Sequence, residues 1–148
     1  MMKSRTRARS VALQVLYEYD QSKHQVGYIF ENRLEENPLD ENLVKFSQKI
    51  VSGVFPLIHD LDEQISKYAP EWPFDQVAII DRNILRIALW EMVYDSETPI
   101  KVIINEAIEL AKLFGSDATP RFVNGVLGSL VDNHNEIKQN LLKNTPLP

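Results

Sequence analysis

Lys3, Arg5, Arg7 and Arg9 crowd the first nine residues, Met1-Met-Lys-Ser-Arg-Thr-Arg-Ala-Arg9, and no acidic residue appears before Glu18. Guanidinium groups at this density suit phosphate, because each offers a planar fork of donors and keeps its charge at any physiological pH. The remainder of the chain sharpens the point. The net charge is −5, so with this +4 segment set aside the rest carries −9. A polyanion is repelled by most of such a surface and attracted to its amino end. A frayed, solvated start that merely aids solubility is the competing interpretation of the charge run taken alone.

Other residues of catalytic type do not assemble into a site. His24, His59 and His134 stand far apart, with no His-x-x-x-His pair and no expected carboxylate at ligand spacing, which argues against a metal. The absence of cysteine excludes disulfides and thiolate ligands and fits a reducing compartment, with the cytoplasm as default. There is no Gly-x-Ser-x-Gly elbow, and Gly125-Val-Leu-Gly128-Ser129 lacks both the length and the lysine of a phosphate loop. Glu106 and Glu109 imitate a carboxylate pair, but three residues apart on a helix and near Arg82, Arg86 or Lys112 they suit ordinary ion pairs. The expectation is a binding protein with no reaction, cofactor or metal.

The elements that must carry these residues are helical. Apolar positions Ala8, Val11, Ala12, Val15, Leu16 and Tyr19 recur at three- and four-residue intervals behind Ser4, a candidate N-cap, so the arginines project from the first turns of a helix. A weaker stretch around Val26, Ile29, Phe30 and Leu34 ends at Asn37-Pro38. Asp40 can cap a third helix through Leu43, Phe46, Ile50 and Val54, interrupted by Gly53 and Pro56 and resumed by Leu57, Ile58, Leu61, Ile65 and Tyr68. Ala69-Pro-Glu-Trp-Pro73 breaks the chain near its middle. A strong helix is expected from about Asp75 to Tyr94, with Asp81, Arg82 and Arg86 on its outer face. Thr98-Pro99 and Thr119-Pro120 each pair a capping threonine with a proline at the first helical position. The β-branched run Ile100-Lys-Val-Ile-Ile104 finds no strand partner and is kept as helix, which Gly115 ends. Gly125 and Gly128 in the last expected helix suggest close approach to another helix, with a backbone site for a ligand as the alternative. Trp72 and Trp90 either serve an interface or lie buried.

These segments predict an all-α chain of about seven helices in two small bundles packed as one domain, with halves of about 1–70 and 74–143. A length of 148 residues, 44% hydrophobic and 25% charged, matches one soluble globular domain. No run approaches the ~18 apolar residues of a membrane span, and the apolar stretch after the basic start is too short for a signal peptide.

Arg5-Thr-Arg-Ala-Arg9 followed by Ala12-Leu-Gln-Val-Leu-Tyr17 resembles the opening of the NusB family of bacterial transcription antitermination factors. Asp81-Arg-Asn-Ile-Leu-Arg-Ile-Ala-Leu-Trp-Glu91 looks like that family's central helix. Pro99 with Val102-Ile-Ile-Asn-Glu-Ala-Ile-Glu-Leu-Ala-Lys112 looks like the next, and Phe114-Gly115 with Arg121-Phe-Val-Asn-Gly-Val-Leu127 like the last. The four blocks run in order over residues 5–127. The resemblance implies a protein of two helical bundles that binds boxA of nascent ribosomal RNA together with NusE, a small-subunit ribosomal protein. The complex would join RNA polymerase and other Nus factors to suppress premature termination and assist ribosomal RNA maturation. No cofactor, reaction or membrane is implied, and some relatives form a homodimer.

Carried over by position, the resemblance assigns RNA contacts to Arg5, Arg7 and Arg9, with Lys3 as an auxiliary charge, and to Phe122 and Arg121 at the start of the last helix. Thr6 replaces a basic residue of some relatives, and Ala118 an acidic one. Tyr17 and Asp81 are assigned to the ribosomal-protein partner, and Arg86 with Glu106 to an internal ion pair. For Phe122 and Tyr17 a place in the core is the alternative, and for Arg121 and Asp81 an ordinary surface charge. At the level of the whole chain, the alternatives are the RNA-binding N-terminal module of a ribosomal RNA cytosine methyltransferase and a purely protein-binding helical scaffold.

Overall fold

Ala8, Val11, Ala12, Val15 and Leu16 form the buried stripe of α1 (Ser4–Ser22) in the computed structural model, which describes residues 2–144. The N-cap of α1 is Lys3, so Ser4 is its first helical residue and does not cap it. The helix stops where Lys23 adopts φ 60° and its amide donates to the Tyr19 carbonyl. Helix α2 (Val26–Glu36) ends at Asn37, and α3 (Glu41–Val54) begins behind an extended Asp40. A 3-10 turn at Phe55–Leu57, carrying Pro56, leads into α4 (Ile58–Tyr68).

After the two-proline break, α5 runs Ile79–Tyr94 and so starts four residues later than the apolar pattern predicts. Phe74–Gln76 is a separate 3-10 turn, and Arg82 reaches back to hold it. Its Nε donates to the Val77 carbonyl at 2.7 Å and its Nη2 to the Asp75 carbonyl at 2.6 Å. Twelve of the 16 residues of α5 are buried, because α1, α3, α4, α6, α7 and α8 all pack on it. The expected outer face therefore fails for Asp81 and Arg86, which are both buried.

Helices α6 (Ile100–Phe114), α7 (Thr119–Asp132) and α8 (His134–Asn144) follow, and every regular element among the described residues is helical. The two threonines do not cap as expected. Pro99 occupies the N-cap of α6 while Thr98 donates to Asp95, and Ala118 occupies that of α7 while Thr119 is its first residue. Helix α8 buries Ile137 and Leu141 against the rest.

One continuous core joins helices from both sides of the break, including Leu13, Leu16, Ile50, Ile84, Ile103 and Leu127. Close backbone approach occurs at Gly53, where a Cβ would lie 2.2 Å from the ring of buried Trp90. It does not occur at Gly128, where a Cβ would meet nothing within 4 Å, and at Gly125 the neighbour is the half-buried Trp72 ring at 3.6 Å.

Candidate nucleic-acid interface

Helical geometry sorts the four cations by depth. Lys3, Arg5 and Arg7 are exposed, whereas Arg9 is only 2% exposed. The Arg9 guanidinium is taken up by Glu91 of α5. Nε donates to Oε2 at 3.0 Å and Nη2 to Oε1 at 2.7 Å, with Glu91 equally buried. Glu106 stands 3.8 Å from Nη1 and accepts the Thr6 hydroxyl at 2.8 Å. A guanidinium enclosed by two carboxylates offers nothing to phosphate, so the RNA role expected of Arg9 is withdrawn.

The remaining arm is held in place. Arg7 donates through Nη2 to the Pro38 carbonyl at 3.0 Å. Arg5 and Arg9, one turn apart, both approach Phe46 of α3, with Cζ 4.6 and 5.0 Å from the ring centre. Phe46 entered the sequence pattern only as a core residue. Glu91 carried no functional expectation, although a glutamate inside so apolar a helix signals a buried cation opposite.

Three hollows run on from Arg7. The first, about 360 Å³, is lined by Arg7, Ser10, Gln14 and Phe114 among others. The second, about 480 Å³, shares Gln14 and Phe114 and adds Tyr17, Arg33 and Ala78. The third, about 340 Å³, shares Ala78 and is lined by Trp72, Asp81, Thr119 and Phe122. Arg7 thus stands at one end of a run of hollows that passes Tyr17 and reaches Phe122, with exposed Arg121 next to Phe122 in the chain, while Lys3 lines a separate hollow with Thr6, Glu106 and Glu109. Phe122 is half-buried and meets Trp72 edge to face, ring centres 5.8 Å apart at 85°.

Asp81 is not an ordinary surface charge. Its carboxylate accepts the Thr119 hydroxyl at 3.1 Å, tying α5 to α7, and burial raises its pKa more than that bond lowers it. Asp81 is buried and lines the third hollow.

The internal pair expected between Arg86 and Glu106 does not form. Arg86 grips both oxygens of Asp62 at 2.7 Å and also donates to Asp20 at 2.8 Å, joining α5 to α4 and α1, while Glu106 serves Arg9 and Thr6. Burial pulls the Arg86 pKa down, but the hydrogen bonds and charges of Asp62 and Asp20 outweigh it and raise the value. The expectation that no histidine has a carboxylate at ligand spacing fails once. His59, Asp60 and Glu63 on α4 bring ligand atoms within 4.8 Å of one another, in a surface cluster of a kind common without an ion.

The NusB family model matches residues 6–132. A transcription antitermination protein NusB from Dehalococcoides mccartyi (strain CBDB1) is 43% identical over 130 residues, covering 88% of this chain and 91% of that protein. Another from Roseiflexus sp. (strain RS-1) is 45% identical over 138 residues, covering 92% of this chain and 97% of that protein. A crystal structure of antitermination factors NusB and NusE in complex with dsRNA includes a chain similar to this one, with TM-score 0.77 and 26% identity. That match covers 94% of this chain and 98% of the other.

Proposed function

The chain belongs to the NusB family, and on that premise we propose that it is an RNA-binding transcription antitermination factor acting with the ribosomal protein NusE on boxA of nascent ribosomal RNA. In the cytoplasm the complex joins RNA polymerase and other Nus factors, suppressing premature termination and assisting ribosomal RNA maturation. The observation that supports this function is exposed Arg7 at one end of the hollows that lead past Tyr17 to Phe122, with exposed Lys3 and Arg5 close to it at the start of α1.

Each group has a task on that surface. Lys3, Arg5 and Arg7 contact phosphates, and Arg121 adds one at the far end. The exposed part of Phe122 stacks on an unpaired base, an interaction worth about 1–3 kcal/mol. NusE seats over the hollow at Tyr17, and Asp81 adds to that contact through the mouth of its cavity. Arg9 holds α1 to α5 and touches no RNA.

Fluorescence anisotropy with a boxA-type RNA tests this. Adding NusE tightens binding, and Arg5→Ala with Arg7→Ala weakens it and flattens the dependence of log affinity on log salt by about 1.4, from roughly 0.7 per single-strand phosphate contact. Binding that ignores NusE, or is untouched by the two alanines, overturns the assignment.

A further inference from the structure

The basic arm contains a feature that phosphate contacts alone do not require, a ring with two cations on it. Arg5 is exposed, and among the described residues it forms no ion pair, yet its guanidinium sits 4.6 Å from the centre of the Phe46 ring. The same ring has Arg9 at 5.0 Å, and Arg9 is fixed from behind by its two hydrogen bonds to buried Glu91. Phe46 is half-buried and packs on the core. The order of support is thus Glu91, Arg9, Phe46, Arg5, from the interior outward.

From this geometry we infer that Phe46 is a positioning residue for RNA binding: its ring holds the Arg5 guanidinium in place before the phosphate arrives. The inference rests on the assignment of Arg5 as a phosphate contact. An arginine free to rotate loses rotamer freedom when it binds, and prior confinement reduces that loss. A carboxylate could confine Arg5 as well, but it would occupy N–H donors and neutralise the charge that phosphate needs. An aromatic ring confines the cation through its quadrupole and supplies no acceptor oxygen, so the five N–H donors stay available. Arg9, paired to Glu91, shows the other outcome. The two arginines share one side of α1, and one turn of depth separates a structural cation from a binding one.

The test is a double-mutant cycle on the full chain with NusE present, read by anisotropy with boxA-type RNA. Phe46→Leu lowers RNA affinity about two- to fivefold, the range of one exposed cation–aromatic contact. Phe46→Tyr, which keeps the ring, restores it. Arg5→Ala lowers affinity further, and adding Phe46→Leu to Arg5→Ala has no additional effect. If the two losses multiply, or if Arg5→Ala weakens binding while Phe46→Leu does not, the positioning role is overturned and the phosphate role of Arg5 stands. If Arg5→Ala changes nothing, both fall together. A measurement on the unaltered protein covers the case in which Phe46→Leu does not fold. The δ-methylene protons of Arg5 should be shifted upfield by the ring in the free protein and stay so with RNA bound, and values typical of an unstructured arginine overturn the inference.

Discussion

Replacing Arg9 by alanine separates a structural arginine from an RNA-binding one. Arg9 and Glu91 are each 2% exposed and joined by two hydrogen bonds of 3.0 and 2.7 Å. Alanine leaves the Glu91 carboxylate buried without its cation, a change that destabilises by about 3–5 kcal/mol. For a domain of this size each kcal/mol moves the melting temperature by about 2–4 °C, so the expected fall is about 6–20 °C. Thermal and urea denaturation measure it. Removing both partners, as Arg9→Met with Glu91→Leu, should recover most of the loss, because no orphaned charge remains. The RNA experiment should move differently. Folded Arg9→Ala protein keeps the salt dependence of the wild type, since no phosphate contact is lost. A variant with an unchanged melting temperature and a salt dependence flattened by about 0.7 would show Arg9 on phosphate and refute the whole partition of the arm.

Asp81 gives a pH prediction. Burial raises its pKa above 3.8 in the folded state, so its contribution to stability is complete below that pH and disappears as pH rises through the raised value. Asp81→Asn lacks this dependence, and the stability of wild type minus variant, measured by urea titration, should decline from acid to neutral pH; a constant or rising difference contradicts it. Gly53→Ala sets a Cβ 2.2 Å from the buried Trp90 ring and should destabilise by about 1–3 kcal/mol in the same assay. Gly128→Ala meets nothing within 4 Å and should instead stabilise α7 by up to about 1 kcal/mol, and equal effects at the two glycines would contradict the packing described.

Periodicity and chain breakers disclosed the helices, because Asn37-Pro38, Pro56, the Ala69–Pro73 stretch and Gly115 stop helices for local reasons that sequence records. The errors share a different cause. Charge usually lies on an outer face, but Arg9 of α1 turns inward to meet Glu91 of α5, and Asp81 and Arg86 sit on that same helix, which is buried along most of its length. That burial was available in the sequence. Ile84, Leu85, Ile87, Ala88 and Leu89 fill five of six successive positions and so cover every side of the helix, which places it centrally and requires its charged residues to be paired. Which carboxylate meets which guanidinium was not available. Arg86 chose Asp62 and Asp20 from other helices over Glu106, a matter of tertiary distance. The threonines do not cap because their hydroxyls are engaged by carboxylates instead. Thr98 spent its hydroxyl on Asp95, and Thr119 joins Asp81.

The withdrawal of Arg9 into the interior changes how cooperation with NusE should operate. Lys3, Arg5 and Arg7 remain at the amino end, enough for about three phosphate contacts and a salt slope near −2 before Arg121 adds its own. Such a slope means roughly a twentyfold loss of affinity between 50 and 200 mM salt, and the acidic remainder of the chain offers little to offset it. Two routes could let NusE tighten the complex: it could order a loose arm, or add contacts of its own. Ordering has little left to do, because Arg5 already rests on Phe46 and Arg7 on the Pro38 carbonyl. Added contacts are favoured by the adjoining hollows, which put the Tyr17 site between Arg7 and Phe122 so that a partner seated there lies along the RNA path. The two routes differ in a measurable sign. Ordering raises affinity at every salt concentration and leaves the slope unchanged, whereas new phosphate contacts steepen it by roughly 0.7 each. Titrations of RNA at several salt concentrations, with and without NusE, should therefore give a steeper slope with it, and tighter binding at an unchanged slope would mean that the arm is ordered by the partner after all.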